Sequence, residues 1–183
     1  MATQFKPLTP ETWHDFETLF GGQGGYSGCW CMYWRLTRRE FNQGCGANNK
    51  AALRSLVERG VVPGIIAYRD SQPAGWVSIA PRDQLGSLER SPTLKRLDEQ
   101  PVWSIVCFYV PKEHRGGMLR ILIDGAVQYA RLRGAKIVEA YPTITHKSSL
   151  PVDRYMGTVE AFRAAGFEQE GQGGAKAIMR KYL

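Results

Sequence analysis

The chain has 183 residues, 43% hydrophobic and 22% charged, which suits one domain (1–183) with its own core and excludes wholesale disorder, collagen-like repeats and coiled coils. No apolar run approaches the ~20 residues of a membrane span. The start, Met1–Pro10, lacks the basic-then-apolar pattern of a secretory signal, so a cytoplasmic protein is expected. The net charge is +7 without any basic run, which argues against a nucleic-acid tail and suits a small anionic ligand.

Thr9-Pro10-Glu11 reads as a helix start, with Thr as cap and Pro in the first turn. Trp13, Phe16, Leu19 and Phe20 follow at helical spacing, and Gly21-Gly22 ends the helix. From Gly21 to Trp34 five glycines lie among Tyr26, Trp30, Tyr33 and Trp34. That stretch is too Gly-rich for a helix and too aromatic for a linker. It is either a loop tucking its rings onto the core or one wall of a substrate pocket for a ligand with a flat or apolar part. Cys29, Cys31, Cys45 and Cys107 lack paired zinc spacing, so no metal site is expected.

Asn48 or Asn49 is expected to cap the next helix, with Ala52, Leu53, Leu56 and Val57 on one face and Gly60 at its end. Gly64–Arg69 and Ala74–Ala80 read as a hairpin joined by Asp70-Ser71-Gln72-Pro73. Pro81–Pro101 reads as a loop with one helical turn. Val102–Val110 is the most strand-like run. Met118–Arg133 is an amphipathic helix with Leu119, Leu122, Ile123, Ala126, Val127 and Ala130 on its apolar face. Ala135–Tyr141 is a strand, Gly157–Ala165 a helix closed by Gly166-Phe167, and Ala175–Tyr182 a strand. Hairpin first and crossovers later imply an α/β (α+β) fold, with a mixed, mostly antiparallel sheet flanked by helices.

The unit that bears chemistry is strand Val102–Val110, turn Pro111–Gly117 and helix Met118–Arg133. Glycines between strand and helix let backbone N–H groups converge, and the helix N-terminus adds partial positive charge, with Arg115 and Arg120 beside it. This can cradle a phosphate, or be an ordinary βα turn. The P-loop and dinucleotide fingerprints are absent here.

Val106-Cys107-Phe108-Tyr109-Val110-Pro111, then His114-Arg115-Gly116-Gly117 and Leu122-Ile123, resembles the acyl-coenzyme-A-binding core of the GNAT superfamily of N-acetyltransferases. Ala161-Phe162-Arg163-Ala164-Ala165-Gly166-Phe167 resembles that superfamily's later helix, and the hairpin Gly64–Ala80, with Ala74-Gly75-Trp76-Val77, its second and third strands. Gly28-Cys29-Trp30-Cys31-Met32-Tyr33-Trp34-Arg35 resembles only a subset of bacterial members.

The resemblance implies acetyl-CoA as co-substrate and transfer to a primary amine of a small molecule or peptide. The pantetheine arm would pair with Phe108, Tyr109 and Val110. The pyrophosphate would sit on Arg115, Gly116, Gly117, Met118, Leu119 and Arg120. Two departures stand out. The family loop is Arg/Gln-x-x-Gly-x-Gly/Ala, and Arg115–Arg120 matches only with one residue deleted, leaving Leu119 at a small-residue position. The tyrosine that many members carry before Gly-Phe, the acid for the departing thiolate, is Phe162 here.

Tyr155 is then the nearest hydroxyl for that acid, or a packed loop tyrosine. Cys107 is either catalytic or core, and His146 and Glu139 are candidate bases. The altered loop and Phe162 also fit another reading, a non-catalytic acyl-CoA-binding or protein-interaction module of the same fold. Gly21-Gly22-Gln23 matches the release-factor tripeptide but lacks its basic helical context. A homodimer is compatible with the sequence and not specified by it.

Overall fold

The computed structural model describes residues 3–144 and 155–183. Its seven strands are β1 (Gln4–Pro7), β2 (Gly64–Arg69), β3 (Gln72–Pro81), β4 (Trp103–Tyr109), β5 (Ile137–Ala140), β6 (Glu168–Gly173) and β7 (Lys176–Tyr182). They form one sheet in the order β1-β2-β3-β4-β5-β7-β6. Only β4 and β5 run parallel; the other neighbours are antiparallel. The helices are α1 (Trp13–Phe20), α2 (Arg38–Gln43), α3 (Ala47–Glu58), α4 (Gly86–Glu89), α5 (Met118–Leu132) and α6 (Val159–Ala164).

Period-two alternation sorts the sheet's side chains. Ile65 and Ala67 face α5 and α6, whereas Ile66 and Tyr68 face α1 and α3. Strand β4 breaks the alternation, because Ile105 and Phe108, three residues apart, share the α5 face. The register explains it: Ile105 pairs with Ile79 and Cys107 with Ser78, which leaves Val106 as an extra residue. This bulge turns Phe108 back into the core and points Cys107 and Tyr109 to the α1 side.

Several elements differ from the sequence reading. The β2–β3 turn is tighter than expected: Asp70 and Ser71 both have positive φ, 48° and 63°, as a two-residue hairpin turn requires. Strands β1 and β6 were not expected. They are short outer strands, and β6, with sequence EQEGQG, has little β propensity of its own and is held by its backbone pairing with β7. Helix α2 has no apolar stripe, yet Thr37 and Glu40 form a capping box: the Thr37 N–H donates to Glu40 Oε2 at 2.9 Å. That Thr-x-x-Glu signal was legible in the sequence.

The expected Asn cap of α3 is replaced by Gly46 at φ 88°. Asn49 lies inside the helix, fully buried. Its amide donates to the Gly28 carbonyl (3.3 Å) and the Phe41 carbonyl (3.4 Å), so it knits the glycine-rich loop, α2 and α3 together.

Candidate functional site

Two features meet at β4. The first is a gap in the sheet. Strand β5 follows β4 only from Trp103↔Val138 to Ile105↔Ala140, so past the bulge no described strand pairs with the β5-facing edge of β4. A free strand edge carries spare N–H and C=O groups that an extended ligand can pair with. Phe108 and Tyr109 lie on that stretch and Val110 follows it. The Phe108 ring packs into the core, 6.1 Å from the Phe162 centroid.

Below the gap the chain turns into α5 through Arg115, Gly116 and Gly117. Gly117 caps the helix with φ 73°, a left-handed conformation that favours glycine. A Cβ built on Gly116 or Gly117 meets no atom within 4 Å, so the space over the turn is open. The first N–H groups of a helix have no intrahelical acceptor. Here Met118 N–H reaches the Arg115 carbonyl at 3.3 Å, which leaves those of Leu119 and Arg120 to face an anion.

Side chains around this turn do not block it. Met118 is fully buried and packs towards Gly75, and Leu119 packs partly against the same core. Arg120 differs from the expected picture of a cation beside the cradle. Its guanidinium bonds Asp124 (2.8 Å) and the Ala164 carbonyl, so it holds α5 to α6 and offers the turn only its backbone. Arg115 is exposed, with Nε 3.4 Å from the Val110 carbonyl. Arg69, which sequence reasoning missed, reaches the Gly116 carbonyl at 3.4 Å. The β2 terminus brings it there through the sheet, with no local signal.

The second feature is a cavity of about 450 Å³ on the other face of β4. Its walls are aromatic: Phe20, Tyr26, Tyr33, Trp34, Tyr109 and Tyr155. The glycine-rich loop tucks one ring onto the core and lines the cavity with others. Trp30 is buried and stacks on Phe20 at 5.8 Å, while Tyr26 and Tyr33 line the cavity. The loop's hairpin-like path needs glycine at Gly24, where a Cβ would sit 2.1 Å from Trp30 Nε1. Cys29, Cys31, Cys45 and Cys107, all four cysteines of the chain, line the same cavity. Among the described residues no group of three or more His, Cys, Asp or Glu is placed to hold a metal ion. Among the described residues the cavity lining contains no Asp, Glu or His.

A splayed parallel pair above a glycine turn and helix N-terminus is an arrangement shared with known proteins. A family model described as the acetyltransferase (GNAT) family matches residues 28–157. The chain belongs to the GNAT family of acetyltransferases. No curated protein sequence matches this GNAT chain significantly, but many solved structures share its fold. The PaiA N-acetyltransferase of Thermoplasma acidophilum, crystallised in complex with coenzyme A, superposes with a TM-score of 0.55 at 12% identity over 100% of both chains. A GNAT acetyltransferase of Listeria monocytogenes gives 0.59 at 13% identity, covering 99% of this chain and 95% of that one. The ribosomal-protein-alanine N-acetyltransferase of Brucella melitensis gives 0.53 at 18% identity, covering 98% and 99%.

Within this GNAT fold the other candidate residues fall into place as follows. Phe162 is buried in the α5-side core and supplies no hydroxyl. Tyr155 stands at the cavity wall, 5.7 Å from the Tyr26 ring. Burial, with Tyr109 and Cys107 nearby, holds its phenol above the ordinary value, so it stays protonated at neutral pH. Cys107 lines the cavity, and its neighbour Cys31 together with burial pushes its thiol well above the usual range.

Glu139, expected as a possible base, is not at the cavity. Its carboxylate is buried and accepts from Arg180 Nε (2.7 Å), Arg82 (3.3 Å) and the Tyr141 hydroxyl (2.6 Å), so it is committed to two guanidinium groups away from the cavity. It reads as a structural counterion. The other expected base, His146, lies outside the described residues.

Proposed function

We propose that this protein is an N-acetyltransferase that moves the acetyl group of acetyl-CoA to a primary amine of a small molecule or peptide. The observation that carries the reading is the β4 bulge. It opens one strand edge beside an open glycine turn on one face, and presents Cys107 and Tyr109 to an aromatic cavity on the other. Donor and acceptor would approach β4 from opposite sides and meet at its middle.

The residues fit the co-substrate. Free groups on Phe108, Tyr109 and Val110 would pair with the pantetheine arm. The Gly116–Arg120 amides and the dipole of the 15-residue α5 would face the pyrophosphate, with Arg115 and Arg69 adding charge. Acetyl-CoA supplies an activated thioester. The protein supplies positioning and proton control.

An attacking amine must be neutral. Among the described residues the cavity lining carries no carboxylate to pair with an ammonium group, so desolvation favours the neutral form. Tyr155, kept protonated, would give its proton to the departing sulfur. The aromatic walls favour an acceptor with a flat or apolar part. Four free cysteines suit a reducing cytoplasm. No described helix is long and apolar enough to cross a membrane.

The test is thiol release from acetyl-CoA with a panel of primary amines, alongside calorimetric titration of the co-substrate. Amine-dependent release is expected, strongest for acceptors with an aromatic group. Tight co-substrate binding without release for any amine would favour the non-catalytic binding module of the same fold.

A further inference from the structure

The aromatic cavity shares a wall with a second hollow. A groove of about 340 Å³ lies beside it, and Tyr33, Trp34 and Arg38 line both. The two differ in character. Among the described residues Arg38 is the one ionised side chain in the lining of the aromatic cavity. The groove adds Arg90 and Lys176, with hydroxyls from Ser87, Ser91 and Thr93, and among the described residues its lining holds no Asp or Glu. Lys176 has an interaction of its own, so Arg38 and Arg90 are the cations that matter here. Both are exposed, so their pull on an anion is partly screened and depends on salt.

Arg38 is held in place by rings. Its guanidinium lies over Tyr33, 3.8 Å from the ring centroid. Tyr33 in turn meets Trp34 and Phe41 edge-to-face, at 5.1 and 5.4 Å. A guanidinium held over an aromatic ring keeps its planar N–H fork for a carboxylate. Among the described residues no carboxylate forms an ion pair with Arg38 or Arg90. The carboxylate on α2, Glu40, accepts from the Thr37 N–H at 2.9 Å and from the Thr37 hydroxyl at 2.6 Å. The Trp34 side chain is buried, and its Nε1–H has no acceptor among the described residues. The shared wall thus carries positive charge and an unsatisfied donor, with no acid from the described chain beside them.

We propose that the acceptor amine also carries a carboxylate, which docks on Arg38 in the wall between cavity and groove, while the aromatic cavity takes the flat or apolar part. The proposal rests on the acetyltransferase reading and names a substrate class for it. Strand β4 supplies Cys107 and Tyr109 to the lining, and α2 supplies Arg38, Phe41 and Asn42. Amine and carboxylate would therefore sit at different elements, with the apolar part between them. The charges agree with the chemistry. A cation in the lining disfavours an ammonium group, and so favours the neutral amine that attacks, while it attracts a carboxylate. Arg90 carries the positive field on into the groove, where a longer acceptor would extend. The same carboxylate can belong to a small amino acid or to an acidic peptide.

Two matched pairs of acceptors test this on the wild-type protein. The benzoate and the benzamide of para-(aminomethyl)benzene differ in charge and hardly in shape. The dipeptides Phe-Glu and Phe-Gln, both as C-terminal amides, do the same for a peptide. Thiol release from acetyl-CoA should give the carboxylate of a pair a KM about five- to tenfold lower than its amide. Raising the salt from about 0.05 to about 0.5 M should shrink that ratio. Titration followed by tryptophan fluorescence reads the same preference without turnover. Arg38→Gln should bring the ratio close to one, Arg38→Lys should keep part of it, and circular dichroism checks both folds. A preference in the small pair alone supports a free amino acid as acceptor, and one in the peptide pair alone an acidic peptide. Equal KM and equal binding within both pairs would overturn the proposal, as would a preference that survives Arg38→Gln; amine-dependent thiol release would still uphold the acetyltransferase reading. Carboxylate-selective binding with no release for any amine would do the reverse, overturning that reading and keeping the ligand class. Neither binding nor release would overturn both.

Discussion

At the scale of single residues, Gly117 separates charge from shape. A side chain there meets no protein atom, and the left-handed backbone is one that Asn and Asp tolerate better than other residues. Gly117→Asn and Gly117→Asp should therefore fold alike. Only Asp sets a negative charge against the pyrophosphate. Charge-assisted bonds to phosphate are worth roughly 1.5–3 kcal/mol each. Calorimetry should show Gly117→Asp weakening acetyl-CoA binding at least about tenfold relative to Gly117→Asn. Equal affinities for the two variants would make this turn an ordinary βα connection. Tyr155→Phe tests proton supply instead. It removes one hydroxyl at the cavity wall, so kcat should fall while co-substrate affinity stays level. A fall in affinity alone would make Tyr155 a packing residue.

At the scale of elements, the cavity wall depends on Asn49. One buried amide joins α3 to the glycine-rich loop and to α2. Asn49→Ala would take one donor from the Gly28 and Phe41 carbonyls, which keep the Gly46 and Gly44 N–H groups, at a cost of about 0.5–1.5 kcal/mol for each bond lost. Urea denaturation should read that loss. The wall that Tyr26, Cys29 and Phe41 build should also loosen, raising KM for the amine with acetyl-CoA affinity unchanged. An Asn three residues into a helix pattern looks like a cap in the sequence. What places it inside is Gly46, whose positive φ starts the helix one turn earlier. The β4 bulge is likewise set by a partner element. Its position at Val106 is decided by pairing with β3, which no local pattern encodes.

Across the whole molecule, the two halves of the sheet are joined through buried charge. Glu139 on β5 accepts from Arg82 after β3 and from Arg180 on β7; Arg180 also binds Asp98 with two bonds, 2.6 and 3.1 Å. Glu139→Gln would leave two buried guanidinium groups without their shared carboxylate, a loss of about 3–5 kcal/mol by analogy with other broken buried pairs. Thermal unfolding should show a large drop in Tm.

The same network makes stability acid-sensitive. The Arg180 guanidinium holds the Asp98 carboxyl well below the usual carboxylate range. A carboxylate depressed in the folded state adds stability above its ordinary value and loses it as pH falls through that value and below. Denaturation midpoints should therefore fall on acidification below about pH 4. Asp98→Asn should flatten that fall, and an unchanged slope would place the acid sensitivity elsewhere.

Much of this protein was legible in its residues alone. Hydrophobic period located α1, α5, the β2–β3 hairpin and β4, because those elements bury one face and local spacing reports it. The glycine turn before an amphipathic helix marked the proposed anion site for the same reason: its signal is contiguous. Tertiary structure decided what depends on residues far apart in the chain. Strand β6 exists because β7 offers it a partner. Glu139 is a counterion because Arg82 and Arg180 converge on it from 57 and 41 residues away. Cys31 faces Trp76, 45 residues on, only once the chain has folded. Spacing along a chain reports which side of an element is buried; only folding decides which charges and donors are buried together.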